Sequence, residues 1–151
     1  MAIINYNGNI FNSKAGIICH QCNCKGVMGS GIALTIKNKY PEVFEAYTKE
    51  YHAHKLQLGH VLFVPVQSEP NRIIANLCGQ DAYGRSGRFT NYNALRTCLN
   101  KVRVFALKNN IKSIAIPFNM SCCRAGGEWS VVYEMIEDIL DKELCVEIWK
   151  L

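Results

Sequence analysis

The chain has 151 residues, 49% of them hydrophobic, and a formal net charge of +5. That length and apolar content suit one packed domain spanning 1–151 and exclude a disordered tail. No basic stretch leads into an apolar run at the start, so no signal peptide is expected. No apolar run nears the ~20 residues that cross a bilayer, so no membrane partner is expected.

Eight cysteines without an export signal read as reduced thiols in a cytoplasmic protein. The mild positive charge suits an anionic ligand. Without a Lys/Arg cluster, a dedicated nucleic-acid-binding module is not expected.

In chain order, residues 2–6 and 15–22 are short, β-branched apolar runs bounded by Asn and Gly, which predicts strands. Ile32, Ala33 and Ile36 have helical spacing over 31–40, and Pro41 interrupts them. A second helix over 42–52 carries Val43, Phe44 and Tyr47 on one face. Strands follow at 60–66 and 72–78, the latter almost wholly apolar and therefore central. Leu95, Leu99, Val102, Phe105 and Ala106 predict a helix over 91–109. A buried strand over 112–117, a helix over 129–140 and a closing strand over 144–151 complete the chain. This alternation predicts a mixed sheet covered by helices on both faces.

Two loops stand out. His20, Gln21, Cys22, Asn23, Cys24 and Lys25 lead into Gly26, Val27, Met28, Gly29, Ser30 and Gly31, where a buried strand gives way to a helix. Glycines there let backbone approach a ligand closely. The free N–H groups and positive dipole end of the following helix can hold a phosphate without a lysine. The spacing is neither that of a Walker loop nor that of the dinucleotide fingerprint. A second glycine-bearing loop, from Phe118 to Gly127, follows the strand that ends at Pro117 and precedes the last helix. Two such loops at the carboxyl ends of two strands would wall one crevice, where open α/β sheets bind ligands. A phosphate-bearing ligand is the expectation.

Here the chain resembles the macro-domain family, over essentially its whole length and in order. The resemblance rests on GNI at 8–10, ICHQCN at 18–23, GVMGSGIA at 26–33, IANLCGQ at 74–80, AIPFNMSCCRAGGEW at 115–129 and VEIWKL at 146–151. It implies a three-layer α/β/α fold with a central mixed, mostly parallel sheet of about six strands. It also implies a cleft for ADP-ribose. The H-x-C-N-C-x-G run is closest to the small ADP-ribose 1″-phosphate phosphatases, and GVMGSGIAL followed by YPEVFEAY also resembles antitoxin-type members that remove ADP-ribose from DNA.

Carried over by position, the resemblance places Asn9, where an aspartate is usual, at the adenine, and Asn23 at the distal ribose. Val27, Met28, Gly29, Ser30, Gly31 and Ile32 wrap the diphosphate. Met120, Ser121, Cys122, Cys123, Arg124, Ala125 and Gly126 form the opposite wall, and Gly8, Ile10, Gln21, Cys22, Gly26, Ala33, Pro117, Asn119 and Leu151 complete the ligand set. Ser121 and Cys123 replace the usual glycines, and Arg124 replaces an apolar residue, where it could pair with a terminal phosphate. The lysine and aspartate of the covalent ADP-ribosyl hydrolases have no counterpart in NLCGQ or at Ala125, which argues against a lysine–ribose intermediate.

His20 is the titratable candidate near the cleft and, with Asn23, is taken as catalytic; a satisfied core histidine is the alternative. Cys19 and Cys22 point to opposite faces of an extended strand, which is poor geometry for zinc, so no metal and no cofactor are expected. Three functions stay open: release of phosphate from ADP-ribose 1″-phosphate, removal of ADP-ribose from a modified protein or nucleic acid, and binding without turnover. The expected partner is a small molecule, with nucleic acid only as a modified substrate, and the expected state is a monomer.

Overall fold

The computed structural model describes residues 3–83, 89–122 and 125–151. Its elements run β1 (Ile3–Asn7), a 3-10 turn (Ile10–Asn12), β2 (Ile17–Cys22), α1 (Gly31–Lys39), α2 (Pro41–His52), β3 (Val61–Pro65), β4 (Ile73–Cys78), α3 (Tyr92–Lys108), β5 (Ser113–Pro117), α4 (Trp129–Ile139) and β6 (Cys145–Lys150). The six strands form one sheet in the order β1-β6-β5-β2-β4-β3. All pairs are parallel except β3 with β4. Each predicted element is present within a residue or two of its expected bounds. The 3-10 turn is the exception, and three residues are too few for a periodic signal.

The helix ends follow local chemistry. The helical run from Gly31 stops at Tyr40, whose N–H bonds to the Ile36 carbonyl at 2.7 Å. Pro41 then opens α2 at its first position, where no N–H is needed. Asn91 caps α3, its Oδ1 accepting from the Ala94 N–H at 2.9 Å.

Strand alternation builds two apolar layers. Ile17 and Cys19 of β2 join Ala75, Leu77, Ile114 and Ile116 under Leu95, Leu99 and Val102 of α3 and Val132 and Ile136 of α4. Ile18 and Cys22 point the other way, with Ile74, Cys78 and Ala115, under Ile36 of α1 and Val43 and Tyr47 of α2. The central strands are thus apolar on both faces, as helix-covered parallel strands must be. Among the described residues, no helix is long and apolar enough to cross a membrane.

His20 belongs to this interior, which corrects its expected place in the cleft. It is wholly buried. Its ring Nε2 lies 2.5 Å from Oδ1 of Asn76, its register partner on β4. The Asn76 amide nitrogen donates to the Leu62 carbonyl at 2.9 Å, so Oδ1 faces the ring and His20 must carry its proton on Nε2. Nδ1 has no partner. Burial drives the His20 pKa down to about 4, partly offset by the Asn76 bond. The ring is therefore neutral at pH 7, and it is not among the residues that line the cleft described below.

Linkage gives this a consequence. The unfolded chain takes up the proton near pH 6.5 and the folded chain near 4, so the unfolded state binds more protons between them. Stability from this residue is complete above pH 6.5 and is lost as pH falls toward 4, by roughly 2 kcal/mol at pH 5. Thermal unfolding at pH 7 and pH 5 should show a larger acid drop in the native chain than in His20→Gln, which keeps a donor for Asn76. Equal acid drops in the two proteins would rule this out.

Candidate ligand-binding cleft

Strands β2 and β5 are neighbours, but their ladder covers only Ile17 with Ile114 and Ile18 with Ala115. Past that point β2 stays paired with β4 as far as Cys22, and β5 stays paired with β6 as far as Pro117. The sheet therefore opens at its carboxyl edge between these strands. The helices that follow them pack on opposite faces, α1 on one and α4 on the other. This is a topological switch point, where backbone leaves in two directions and a crevice remains. A cleft of about 630 Å³ occupies it, within the range of small-molecule sites.

One wall comes from β2 and the start of α1: Gln21, Cys22, Asn23, Val27, Gly29, Ser30, Gly31, Ile32 and Ala33. The other comes from the end of β5 and its loop: Pro117, Phe118, Asn119, Met120, Ser121, Cys122 and Ala125. Gln80 and Tyr83 contribute from the segment after β4. Most residues expected at the diphosphate and distal ribose thus share one cavity. Gln80, Tyr83 and Phe118 were given no ligand role in the sequence, although Gln80 ends the IANLCGQ motif and Phe118 opens the second glycine-bearing loop. Tyr83 lies in neither, and nothing in its residue type marked it.

The first wall presents the amino end of α1. Gly31 adopts φ +58, and a side chain there would meet nothing within 4 Å. The first intrahelical bond runs from Leu34 N–H to the Ser30 carbonyl at 3.2 Å. The N–H groups of the first turn are left without intrahelical partners at the positive end of the helix dipole, and Gly29 to Ala33, which carry them, line the cleft. Met28 is buried in the core beneath the loop, and Gly26 turns at φ +76 against the Tyr51 ring. Neither lines the cleft, so both act as anchors for the loop where ligand contacts were expected.

Asn23 lines the cleft, yet its amide is largely engaged in holding the loop. Oδ1 accepts from the N–H groups of Lys25 at 2.9 Å and Val27 at 3.4 Å, and Nδ2 donates to the Val27 carbonyl at 2.8 Å. The Tyr47 hydroxyl lies 2.5 Å from the Asn23 carbonyl and 2.9 Å from Oδ1, sharing one proton between them. Burial raises the Tyr47 pKa, which keeps it a donor. Asn23 thus shapes the loop directly, and Nδ2 retains a second hydrogen for a ligand.

The second wall holds two non-glycine residues in the left-handed region, Asn119 at φ +62 and Ser121 at φ +73. Such residues persist only where surrounding bonds over-determine them. Cys123 and Arg124 lie outside the described residues.

Five further positions expected at the ligand lie outside the cleft. Asn9 is exposed and caps the 3-10 turn, its Oδ1 accepting from Phe11 N–H at 2.9 Å. Ile10 is buried, and Gly8 turns at φ +146 beside Trp149. Gly126 is exposed at φ +76, and Leu151 is fully exposed.

No lysine, arginine, histidine or carboxylate is among the described lining residues; Tyr83 and the thiols of Cys22 and Cys122 are their titratable groups. The Cys22 sulfur approaches that of Cys78 to 3.8 Å. The Cys22 contact, with burial, pushes the Cys78 thiol up, and a bond to Cys78, with burial, does the same to Cys24. Both shifts keep the Cys24 and Cys78 thiols protonated. Among the described residues, no cluster of His, Cys, Asp or Glu could hold a metal.

Comparison with known proteins agrees with this geometry. The chain is 27% identical over 131 residues to a DNA ADP-ribosyl glycohydrolase of Mycobacterium tuberculosis, covering 86% of this chain and 36% of that protein. It is 32% identical over 114 residues to an ADP-ribose 1″-phosphate phosphatase of Saccharomyces cerevisiae, covering 70% of this chain and 63% of that one. The chain thus spans about a third of the first relative and under two thirds of the second. A solved structure of a protein of unknown function from Bacteroides thetaiotaomicron superposes with a TM-score of 0.90 at 30% identity, covering 100% and 99% of the two chains. The Macro domain family model matches residues 19–136, and with the six-stranded sheet and its split carboxyl edge this establishes that the chain belongs to the macro domain family.

Proposed function

We propose that the cleft binds ADP-ribose and that the protein releases phosphate from ADP-ribose 1″-phosphate. The observation that carries the binding half is the opening between β2 and β5, walled on one side by the amino end of α1 and on the other by the loop after β5. A diphosphate needs many donors aimed at a small volume. Backbone N–H groups at a helix start supply them without a basic side chain. Of the polar lining residues, Asn23 keeps an amide hydrogen that is not bonded to Val27 and that suits a ribose hydroxyl.

The hydrolytic half rests on likeness to the yeast phosphatase. The described lining residues carry no carboxylate or basic side chain, which suits a reaction that draws on substrate orientation and on dipoles aimed at phosphoryl oxygens. A second reading is removal of ADP-ribose from modified DNA. The longer alignment with the mycobacterial glycohydrolase favours it. Neither lysine in the NLCGQ segment nor an acid at Ala125 is present for the covalent route to that reaction.

Calorimetry should give a micromolar dissociation constant for ADP-ribose, roughly −8 kcal/mol, with far weaker binding of AMP. Equal affinities for the two would remove the diphosphate and distal ribose from the site.

Gly29 offers a clean test of position. Its backbone lies outside the left-handed region, and a Cβ there would touch only Val27 Cγ1 at 3.6 Å. Gly29→Glu should therefore fold, with an unchanged melting temperature, and lose ADP-ribose affinity by on the order of 100-fold through charge and bulk in the phosphate position. A folded variant with full affinity would move the ligand elsewhere.

For turnover, ADP-ribose 1″-phosphate and ADP-ribosylated DNA should be offered separately, with products read by mass. Free phosphate that persists in EDTA is the expected outcome. ADP-ribose released from DNA alone would favour the second reading, and no product from either would leave a binder.

A further inference from the structure

The two walls of the cleft are joined by a closed ring of side-chain hydrogen bonds. The Ser121 hydroxyl donates to Gln21 Oε1 at 2.6 Å. Gln21 Nε2 donates to Thr90 Oγ1 at 3.0 Å, and to Gln80 Oε1 at 2.9 Å. The Thr90 hydroxyl donates to the Ser121 carbonyl at 2.8 Å, closing the ring. Every direction follows from one fact: a carbonyl can only accept. Thr90 must give its proton to Ser121, so its oxygen accepts from the Gln21 amide nitrogen. The Gln21 oxygen then faces Ser121, whose proton goes to it. Gln80 agrees, because its own Nε2 donates to the Ala82 carbonyl at 2.8 Å.

This ring sits where the backbone needs it. Ser121 is buried and takes φ +73, a conformation that costs a non-glycine residue free energy. Thr90 is buried as well. Gly79 lacks the side chain that would otherwise overlap the Gln21 amide, so the space under the loop is shaped for this glutamine. The Ser121 carbonyl also accepts from the Gly127 N–H at 2.9 Å, which ties the loop to the entry of α4.

We infer that Gln21 is a positioning residue: it holds Ser121 in the left-handed conformation and so sets the wall of the cleft that meets the distal half of the ligand. The inference rests on ADP-ribose as the occupant. Glycine takes φ +73 without help, so the need for Gln21 should vanish when residue 121 is glycine.

The test is a double-mutant cycle of Gln21→Ala and Ser121→Gly, read by ADP-ribose and ADP affinities and by melting temperature. In the Ser121 background, Gln21→Ala should weaken ADP-ribose about 10-fold, the order expected for one buried hydrogen-bond partner removed. ADP, which lacks the distal ribose, should lose less. In the Ser121→Gly background the same substitution should cost under about threefold, a coupling characteristic of residues in one network. Should Gln21→Ala not fold, Thr90→Val keeps the volume, cuts the ring at its other bond, and reads the same coupling. Equal losses in both backgrounds, or equal losses for ADP and ADP-ribose, would overturn the inference while leaving the ligand assignment intact. Failure of the native chain to bind ADP-ribose would take both down.

Discussion

The hydrogen-bonded ladder between β2 and β5 ends after Ile18 and Ala115, and the site depends on that ending. Each strand keeps its other neighbour, so the sheet is not frayed; it is divided. The division follows from the connections. A helix leaving β2 for one face and a helix leaving β5 for the other pull the two carboxyl ends apart, and the gap cannot be filled by either loop. The apolar residues on both faces of β2 and β5 anchor this arrangement, because Ile17 and Ile114 serve one layer while Ile18 and Ala115 serve the other. A polar ligand site thus rests on the two-sided packing of a few aliphatic side chains.

The elements were legible because each has a strong period or a hard boundary. Pro41 separates two helices that a continuous pattern would have merged, and the run from Ile73 to Cys78 is apolar on both faces but for Asn76, as suits an interior strand. The two glycine-bearing loops marked the cleft, since left-handed turns leave a signature in residue type. The commitments of individual polar side chains left none. Asn23 is the same letter whether it holds its own loop or a ribose, and only the distances to Lys25, Val27 and Tyr47 reveal the former. His20 is likewise ambiguous by type. Its place opposite Asn76, set by the parallel register of β2 and β4, makes it a core residue. Asn9 sits in an early turn whose sequence resembles a ligand motif, yet its oxygen is spent on capping a 3-10 turn.

The near absence of charge from the described lining residues shapes how recognition can work. Backbone dipoles do not titrate and cannot swing away, so they bind an anion only if the loop already has the right shape. Affinity then depends on conformation more than on composition. Residues outside the lining, such as Met28 in the core and Tyr47 beneath the Asn23 carbonyl, hold the loop that gives the cleft its shape.

The two walls achieve that fixed shape by different means. The first uses glycine: Gly26 and Gly31 take positive φ at little steric cost, and Met28 pins the loop to the core between them. The second uses Asn119 and Ser121, and at Ser121, for which the same backbone region is unfavourable, side-chain bonds compensate. Glycine reaches the left-handed region without steric cost, so Gly26 and Gly31 need no side-chain support to hold it. A serine held left-handed keeps its shape only while its bonds to Gln21 and Thr90 persist, so the second wall depends on a side-chain network where the first depends on residue type.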